Sequence, residues 1–220
     1  MTTARAWPVL TVAILTAGLA AGGDTPRTVT FTKDDLGKVP AGWTSARTGK
    51  GDGSVWKVTE DATGPGKSGV VLTQTAESPA AVFNLCVLDG VTAADVTVTV
   101  AFKANAGVKD QGGGVVWRYQ DANNYYVARF NPLEDNFRLY HVVSGKRTQI
   151  GGKEELRLKA GEWHTLGVSM AGDRITCTLD GRVEVEATDK TIEKAGRVGL
   201  WTKADARTSF DRFEVRPVVK

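Results

Sequence analysis

The sequence predicts an all-β protein built as a sandwich or barrel of short strands. Apolar and polar residues alternate along nearly every ordered-looking segment, turns rich in glycine and aspartate separate these segments, and almost no helical period is present. Of the 220 residues, 41% are hydrophobic, which is enough for one sizeable core. Single β-sandwiches often reach roughly 200–250 residues, so we predict one domain.

The predicted strands follow one another along the whole chain. The segments with strand character are Thr28–Thr32, Val55–Val58, Gly69–Thr75, Ala80–Val87, Val96–Lys103, two adjacent hairpins within Gln111–Val143, Trp163–Met170, Arg174–Leu179, Val183–Ala187, Gly196–Thr202 and Ser209–Val215. Asp180 and Gly181 form a strong two-residue hairpin turn. Glycine-rich stretches at Thr48–Ser54 and Gly64–Gly69 indicate loops, because strand-like runs resume after each of them.

The first residues have the pattern of an export signal. Arg5 precedes an apolar stretch from Val9 to Ala21, and small residues follow. A membrane span needs about 20 apolar residues, so this stretch is too short to be one. We therefore predict a signal peptide over residues 1–23, a mature domain over residues 24–220 and a secreted or periplasmic protein. An uncleaved amphiphilic anchor is the alternative.

The charge balance argues against two classes of partner. Lys and Arg number 28 against 25 Asp and Glu, which gives a formal net charge of +3. No run of basic residues occurs that would neutralise successive phosphates or dock on anionic lipid. We expect no nucleic-acid partner and, once the signal is removed, no membrane partner. Neutral or weakly charged ligands remain.

Cys86 and Cys177 are the only cysteines. An oxidising compartment would permit a disulfide between them, but Cys177 shares its alternation with Ile175 and Leu179 and so is expected to face the core as a small hydrophobe. The sequence leaves the bridge open. Two cysteines and two histidines lack the paired short spacings of a zinc site, and the loop acids are too scattered to specify a calcium cage. We predict neither a metal nor a cofactor.

The two hairpins within Gln111–Val143 contain the best candidate site. Successive strand side chains point to opposite faces, so a turn at Asp121–Asn124 would pair Gln120 with Tyr125 and Arg118 with Val127. One face then carries Arg118, Gln120, Tyr125, Arg129, Arg138 and Tyr140. The opposite, apolar face carries Val115, Trp117, Tyr119, Tyr126, Ala128, Phe130 and Leu139.

Two interpretations of the polar face compete. The plain one is a solvated outer face whose arginine stems cover hydrophobic surface. The other is a polar ligand groove, in which Tyr125 and Tyr140 provide ring surface for a sugar and the arginines donate hydrogen bonds to hydroxyls or to a uronate carboxylate. The excess of arginine favours an acidic sugar.

Several different short motifs follow one another along nearly the whole mature chain. They are Val39-Pro40-Ala41-Gly42-Trp43, Trp56-Lys57-Val58, Gly114-Val115-Val116-Trp117-Arg118, Gly161-Glu162-Trp163-His164-Thr165, Leu179-Asp180-Gly181, Gly196-Arg197-Val198-Gly199-Leu200-Trp201 and Phe210-Asp211-Arg212-Phe213-Glu214-Val215. In this order they resemble the 3-keto-disaccharide hydrolase domain family, also described as family 16 glycoside hydrolase-like, of the concanavalin A-like superfamily. The resemblance implies a jelly-roll sandwich of two curved antiparallel sheets, with first and last strands adjacent and ligands on the concave sheet.

The chain departs from that family where function is concerned. The family typically has Asn-Ser-Gly before the arginine strand, and here the residues are Gly112 to Gly114. The next strand typically has Glu, Gln and Asp at alternate positions, where this chain has Val127, Arg129 and Asn131. Arg118 matches the family, but the acids are gone.

Catalytic residues are hard to find in the sequence. Glycoside hydrolysis usually takes two carboxylates, and only Glu184 and Glu186 have the acid-x-acid spacing on a strand. They alternate with Val183 and Val185 after a tight turn, as on the solvated face of an outer strand whose valines enter the core. Loop acids could instead reach the rim of the polar face, and the candidates are Asp121, Glu134 and Asp135.

Other chemistries are less well supported. The chain has no Gly-x-Ser-x-Gly elbow, and Gly112 to Gly114 precedes a strand where a phosphate loop would precede a helix. We expect structural roles for His141 and His164. The leading prediction is a secreted domain that binds carbohydrate or a related polyhydroxylated ligand on its concave sheet. A glycoside hydrolase or lyase of the 3-keto-disaccharide type and a non-catalytic protein-interaction module are the alternatives.

Overall fold

Strands make up most of the structure, a computed structural model that describes residues 26–218. In chain order the strands are β1 (Arg27–Val29), β2 (Trp43–Thr48), β3 (Trp56–Glu60), β4 (Val70–Gln74), β5 (Phe83–Ala93), β6 (Val96–Ala106), β7 (Gly113–Asp121), β8 (Asn124–Asn131), β9 (Asn136–Val143), β10 (Lys146–Lys153), β11 (Trp163–Ala171), β12 (Arg174–Leu179), β13 (Arg182–Thr188), β14 (Gly196–Lys203) and β15 (Arg207–Pro217). A 3-10 turn, Lys33–Asp35, lies between β1 and β2. The predicted export signal lies outside the described residues. No helix within residues 26–218 has the length and apolar character needed to cross a membrane.

The strands form two antiparallel sheets. The eight-stranded sheet has the order β13-β12-β11-β6-β15-β4-β3, with β1 also paired to β15. The seven-stranded sheet has the order β10-β9-β8-β7-β14-β5-β2. Arg27 in the first strand lies opposite Val215 in the last. The predicted all-β sandwich and the adjacency of its first and last strands are confirmed.

The core lies between the sheets, where each contributes one face of side chains. Trp117 stacks on Tyr126 with ring centroids 5.5 Å apart, and its indole nitrogen lies 3.1 Å from the sulfur of Met170 on the opposite sheet. Phe102 and Phe130 likewise meet across the two sheets, with centroids 6.3 Å apart. Removing one large side chain of this kind from water contributes about 1.5–3 kcal/mol, so the interdigitated rings fix how the sheets pack.

The seven-stranded sheet curls over its own outer face. The guanidinium carbon of Arg147 in β10 lies 5.0 Å from the ring centroid of Phe83 in β5, although β9, β8, β7 and β14 separate the two strands. Neighbouring strands are about 4.8 Å apart, so a flat sheet would hold these residues more than roughly 20 Å apart. Thr48 at the end of β2 reaches the β7–β8 turn, where its hydroxyl bonds to the carbonyl of Ala122 and lies 2.8 Å from Tyr125 Oη. This outer face is therefore concave.

The concave face contains its own apolar cluster, separate from the main core. Its members are Phe83, Leu85, Val87, Val116, Tyr119, Tyr125, Val127, Tyr140, Val142 and Trp201. The outer face of the eight-stranded sheet is different, because small polar side chains pair across its strands. Thr59 and Thr73 hydroxyls lie 2.6 Å apart, and Thr97 and Ser169 hydroxyls lie 3.2 Å apart.

Two strands, β2 and β10, have no counterpart among the predicted strands. They are the two edges of the seven-stranded sheet. An edge strand has only one neighbour, and neither of these two presents a regular apolar alternation. The sequence signal for a strand is therefore weak at both positions.

Both cysteines are buried free thiols in the main core. Burial raises the pKa of Cys177 to about 12, and burial followed by the charge of Asp89 raises the pKa of Cys86 above its ordinary range. The core position expected for Cys177 is confirmed, and no bridge joins the pair.

One predicted core residue faces solvent. The register shifts between Cys177 and Thr178, so that Val183 lies opposite Thr178 and is 55% exposed. Val185 lies opposite Cys177 and enters the core. The same bulge breaks the alternation that would have placed Glu184 and Glu186 on one face, and the side chain of Glu184 bonds to Lys153.

Candidate functional site

A bulge in β7 changes the predicted pairing of the first hairpin. Asp121 does lie opposite Asn124 at the turn, but further from the turn Trp117 lies opposite Tyr126 and Val116 opposite Val127. Arg118 has a φ of 45°, in the left-handed region that few non-glycine residues adopt. The predicted opposition of Arg118 and Val127 is therefore wrong.

Arg118 points away from the concave face. It is 2% exposed, and its Nε donates to the carbonyl of Ala94 at 2.7 Å. Its two terminal nitrogens donate to the carbonyls of Ile192 at 2.8 Å and Gly172 at 2.6 Å, and Asp95 lies 3.5 Å away. The guanidinium ties three loops together at one end of the sandwich. A cavity of about 650 Å³ opens beside it, but its own donors are already used by the protein.

Gln120 also lies off the predicted face. Its amide nitrogen donates to the carbonyls of Arg118, Lys194 and Ala195 at 3.0–3.1 Å. The bulge turns Tyr119 onto the concave face instead, where its ring lies 6.1 Å from that of Tyr125. Tyr119 was predicted to face the core, and the extra residues of the bulge are the reason for the difference.

The structure brings the other four predicted residues onto the concave face. Arg129 lies opposite Arg138 in the β8–β9 pair, and Tyr140 lies opposite Val127. Tyr125, on the same face, is fully buried, and burial raises the pKa of its phenol above the ordinary value. Its ring therefore offers no free surface to a ligand. Arg138 is half-buried at the side of the face and pairs with Glu154.

Arg129 is the centre of a polar group at one end of the concave face. It is 4% exposed, and its terminal nitrogens donate to Glu134 Oε2 at 2.7 Å, to Asn136 Oδ1 at 2.5 Å and to Tyr140 Oη at 3.4 Å. Its Nε is buried without a hydrogen-bond partner among the described residues. Burial alone would raise the pKa of Glu134, but the charge and hydrogen bond of Arg129 outweigh it, and the pKa is lowered.

A second ion pair, which the sequence analysis missed, completes this group. Lys203 at the end of β14 donates to Asp110 Oδ2 at 2.9 Å, and Asn131 donates to Asp110 Oδ1 at 3.3 Å. Asp110 is 3% exposed; burial raises the pKa of its carboxyl, and Lys203 only partly opposes this effect. We call Asp110, Arg129, Glu134, Asn136 and Lys203 the polar end of the concave face.

The loop that carries Asp110 is held by one carboxylate. Asp205 accepts hydrogen bonds from the backbone amides of Val108, Lys109 and Asp110 at 2.9–3.1 Å. Gly107 has a φ of 144°, and a Cβ there would lie 1.9 Å from the carbonyl oxygen of Asp110. The sequence analysis noted Gly112 to Gly114 before the arginine strand but did not single out Gly107, and nothing in the sequence indicated that Asp110 lies under Lys203.

The three acids predicted at the rim of the polar face lie in different environments. Glu134 belongs to the polar end. Asp121 caps the β7–β8 turn by accepting from the backbone of Asn123 at 2.7 Å and from Asn124. Asp135 has a φ of 48°, and its carbonyl accepts from the amide of Leu156 at 2.8 Å. Only Glu134 among them joins the charged groups of the face.

Arg147 is the second group that the sequence analysis missed. Its guanidinium carbon lies 4.3 Å from the ring centroid of Tyr140, 5.0 Å from that of Phe83 and 5.9 Å from that of Trp201. We call these three rings the aromatic floor. Arg147 is half-buried and covers the floor, so that Tyr140 is 6% and Trp201 1% exposed. No sugar can stack on these rings while the guanidinium stays there.

Both histidines make hydrogen bonds that account for their positions. Asp189 Oδ2 lies 3.3 Å from His141 Nδ1, and its other oxygen bonds to Tyr126 Oη at 2.5 Å. Asp180 Oδ2 lies 2.8 Å from His164 Nδ1. Within residues 26–218, no group of three or more His, Cys, Asp or Glu side chains is arranged to hold a metal ion.

The family of the chain follows from a comparison with known domains. Residues 31–216 match the 3-keto-alpha-glucoside-1,2-lyase-like domain. The chain belongs to this family. The resemblance stated from the sequence motifs is thus confirmed. No curated protein gives a significant match.

Solved structures show the same fold. Carbohydrate binding module CBM66 from Bacillus subtilis is 19% identical, with a TM-score of 0.64 over 80% of this chain and 95% of that one. The exoplasmic domain of VIP36 in its Ca2+-bound form is 10% identical, with a TM-score of 0.57 over 88% and 90%. A Bacillus subtilis protein of unknown function with a galectin-like fold is 11% identical, with a TM-score of 0.53 over 80% and 96%. The predicted concanavalin A-like jelly-roll fold is confirmed.

This member of the 3-keto-alpha-glucoside-1,2-lyase-like domain family differs from the motif pattern on the concave face itself. The three departing positions of β8, Val127, Arg129 and Asn131, all lie on that face. Gly114 lies opposite Arg129, and a Cβ at Gly114 would lie 2.8 Å from the Cβ of Arg129. Glycine at position 114 therefore lets β7 approach β8 closely at Arg129, which stands where the family typically has Gln.

Proposed function

We propose that this protein is a secreted carbohydrate-binding domain whose ligand site is the polar end of the concave face. The observation that carries the proposal is the convergence of Arg129, Lys203, Glu134 and Asp110 at one end of a curved sheet. Membership of a glycoside-directed family and a fold shared with a carbohydrate binding module support it.

The chemistry of the polar end suits polyhydroxylated ligands. A sugar hydroxyl both donates and accepts, and planar carboxylate and guanidinium groups bind pairs of adjacent hydroxyls. The side chain of Glu134 is 44% exposed, and that of Lys203 is 21% exposed, so both are open to a ligand. Arg129 is buried and orients Glu134. Leu133 and Val108, which are 52% and 87% exposed, provide apolar surface on the two loops beside these charges.

The roles proposed for the predicted residues change accordingly. Arg129 keeps its place in the site as the partner of Glu134 and Tyr140, and Arg138 lies beside it. Tyr140 and Tyr125 act as buried supports of the face. Arg118 and Gln120, which point elsewhere, are not part of the site.

Binding measurements on charge-matched variants test this proposal. We expect Glu134→Gln and Lys203→Met each to weaken glycan binding roughly tenfold, because each removes a charged hydrogen-bonding group. Lys190→Met and Asp173→Asn remove an exposed ion pair near the opposite end of the sandwich and serve as matched controls. Unchanged binding in both Glu134 and Lys203 variants, or a glycan array with no bound sugar at all, would exclude the site. Copurification of a protein with an otherwise blank array would favour the interaction-module alternative.

Export is tested separately from binding. The predicted signal over residues 1–23 implies that cells release a chain shortened near residue 23 outside the cytoplasm. Fractionation followed by mass spectrometry of the N-terminus measures this. A full-length chain retained on the membrane would support the uncleaved anchor instead.

One observation favours an enzyme as the second candidate. Burial raises the pKa of Asp110, whereas Arg129 outweighs burial and lowers the pKa of Glu134. Two carboxyl groups whose pKa values are displaced in opposite directions are the usual arrangement of a general acid beside a general base. In this candidate Asp110 would be protonated instead of ion-paired with Lys203, and it would give that proton to the glycosidic oxygen as the bond to the anomeric carbon breaks. Glu134 would take a proton from the water that attacks that carbon.

Product formation decides between the two candidates. Incubation with 3-keto-glycosides and ordinary glycosides would release sugar if the protein is an enzyme, and Asp110→Asn would abolish that release. No product above background from the unmodified protein would exclude catalysis and leave the binding proposal intact.

A further inference from the structure

Arg147 is a half-buried arginine of the seven-stranded sheet that has no polar partner among the described residues. Among residues 26–218, no carboxylate oxygen lies within 4 Å of its guanidinium, and none of its N–H groups donates to a protein acceptor. Arg129, Arg138 and Arg197 each pair with a carboxylate. A half-buried guanidinium with five unused donors requires water or a ligand to satisfy them.

The aromatic floor holds this guanidinium in a fixed place. Contacts of 4.3, 5.0 and 5.9 Å to three ring centroids position the cation on the faces or edges of Tyr140, Phe83 and Trp201. The ring system excludes water from one side and so strengthens the attraction of an anion on the other. Arg147 is thus preorganised, and a ligand would lose little affinity in ordering it.

Arg147 lies next to the polar end, because two of the rings that it contacts belong to residues that also neighbour polar-end residues. Tyr140 has its ring under Arg147 and its hydroxyl 3.4 Å from Arg129 Nη2. Phe83, another floor residue, lies opposite Lys203 in the β5–β14 pair. A sugar bound at the polar end would therefore bring its substituents to the unsatisfied guanidinium.

Arg147 is set apart from the other cations near the polar end by the absence of a carboxylate partner. Arg129 is balanced by Glu134 and Lys203 by Asp110, as their ion pairs of 2.7 and 2.9 Å show. Arg138 at the side of the face is balanced by Glu154. Arg147 has no such partner among the described residues, so its guanidinium is available to one negative group of a ligand.

We infer that the sugar bound at this site is anionic, and that Arg147 is the residue that selects it by binding a carboxylate or sulfate group. The inference rests on the proposed carbohydrate-binding function and names the ligand class. A uronic acid and a sulfate ester both supply a planar or near-planar pair of oxygens for the fork of the guanidinium. A neutral sugar would leave the guanidinium donors to water.

The experiment compares each acidic glycan with its neutral counterpart. Calorimetry would use galacturonate oligosaccharides and their methyl esters as one pair, and a sulfated and a desulfated galactan oligosaccharide as the other. We expect the unmodified protein to bind one acidic member roughly ten- to a hundredfold more tightly than its neutral counterpart, which is the range for a charge-assisted hydrogen bond. The pair that shows the preference identifies the anion as carboxylate or sulfate.

Variants then assign the preference to Arg147. Arg147→Gln should abolish it, whereas Arg147→Lys should keep part of it, because lysine retains the charge but not the fork. Arg174→Gln, on the exposed surface of β12, makes the same change in net charge and should have no effect. Circular dichroism establishes that each variant is folded, and Arg147→Lys keeps the test informative if Arg147→Gln unfolds.

The outcomes separate this inference from the function on which it rests. Equal binding of acidic and neutral sugars by the unmodified protein would overturn the anionic preference while the carbohydrate-binding proposal stands. An acidic preference that survives in Arg147→Gln, or is lost equally in Arg174→Gln, would overturn the role of Arg147. No binding of any glycan would remove the proposed function itself.

Discussion

The guanidinium carbon of Arg147 lies 4.3 Å from the ring centroid of Tyr140, on the neighbouring strand of the seven-stranded sheet. Gln149 is directly opposite Tyr140, so Arg147 reaches the ring diagonally, which long side chains on adjacent strands do readily. The contact joins the edge of the sheet to the apolar cluster of its concave face. It makes an edge residue part of the packing.

Removing Arg147 should therefore affect stability as well as binding. Arg147→Ala should lower the free energy of unfolding by about 1–2 kcal/mol, because partly desolvated cation–π contacts are lost. Trp201 would become more exposed, so tryptophan emission should shift to longer wavelength. Urea unfolding followed by fluorescence measures both effects. Arg174→Ala is the exposed control, and equal stability of the two variants would contradict the packing role.

Arg118 is expected to be essential for the fold. Arg118→Ala should cost about 3 kcal/mol or more, because it removes the buried hydrogen bonds to the carbonyls of Ala94, Ile192 and Gly172 and the charge beside Asp95. Arg138→Ala, which breaks a pair with a largely exposed Glu154, should cost about 1 kcal/mol or less. Chemical denaturation of the two variants tests this, and similar losses would argue against the buried network.

Thr48 joins the edge strand β2 of the seven-stranded sheet to the β7–β8 turn across the concave face. Thr48→Val keeps the shape but removes the bonds to Ala122 O and Tyr125 Oη, and should cost about 1–2 kcal/mol. Thr44→Val removes a bond of 3.0 Å to Asp89 at an exposed position, so its effect should stay below about 0.5 kcal/mol. If thermal unfolding shows no difference between the variants, the closure contributes nothing to stability.

Asp205 should make stability depend on pH. Burial would raise the pKa of Asp205, but the hydrogen bonds from the amides of Val108, Lys109 and Asp110 outweigh it, and the pKa is lowered in the folded state. The stabilisation of the folded state by the Asp205 carboxylate is fully present above the unfolded-state pKa of about 3.9. It is lost as the pH falls through the folded-state pKa. Asp205→Asn should destabilise the protein at neutral pH, with a difference that shrinks in acid.

Thermal unfolding at a series of pH values measures the effect of Asp205→Asn. Asp52→Asn, in an exposed loop, is the control and should follow the unmodified protein at every pH. A constant difference across the acid range would show that the effect of Asp205 does not arise from its charge.

The cysteine thiols should be unreactive in the native protein. Because both thiols are buried and their pKa values are raised, Cys177 to about 12, a thiol reagent should react with neither until the protein unfolds. A reducing agent should leave the melting temperature unchanged. Rapid modification of one native thiol, or a lower melting temperature under reduction, would contradict the unbridged core positions.

The sequence predicts the fold better than the site, for a physical reason. Strands such as β6 and β12 bury one face in the core, so their alternation of apolar and polar residues is regular and visible in the sequence. The edge strands β2 and β10 lack that constraint, and the residue with unsatisfied donors, Arg147, stands on β10. Because β10 was not predicted as a strand, Arg147 was not considered as a candidate site residue.

Within β7, β8 and β9, the predicted alternation of side chains between the two faces failed at one position only. The bulge at Arg118 adds residues to β7, so the side chains of Arg118 and Tyr119 exchange faces relative to simple alternation. No turn residue or glycine marks the place, since a positive φ is adopted by an arginine. Beyond the bulge, β8 and β9 keep regular register, and the shared face of Arg129, Arg138 and Tyr140 was predictable.

The place of Asp110 in the polar end of the concave face could not have been predicted from the sequence. Its contact with Lys203 joins residues far apart in the chain, and it depends on the loop that Asp205 holds. Hydrophobic period and turn chemistry describe neighbours along a strand, whereas this pair is created by the meeting of β7 and β14.

The pairing of β1 with β15 has a practical consequence. Both lie in the sheet that faces away from the concave surface, and Arg27 is directly opposite Val215. Attachment to a sensor chip through β1 or β15 would therefore hold the protein by the sheet opposite the concave surface and leave the curved surface facing the solution.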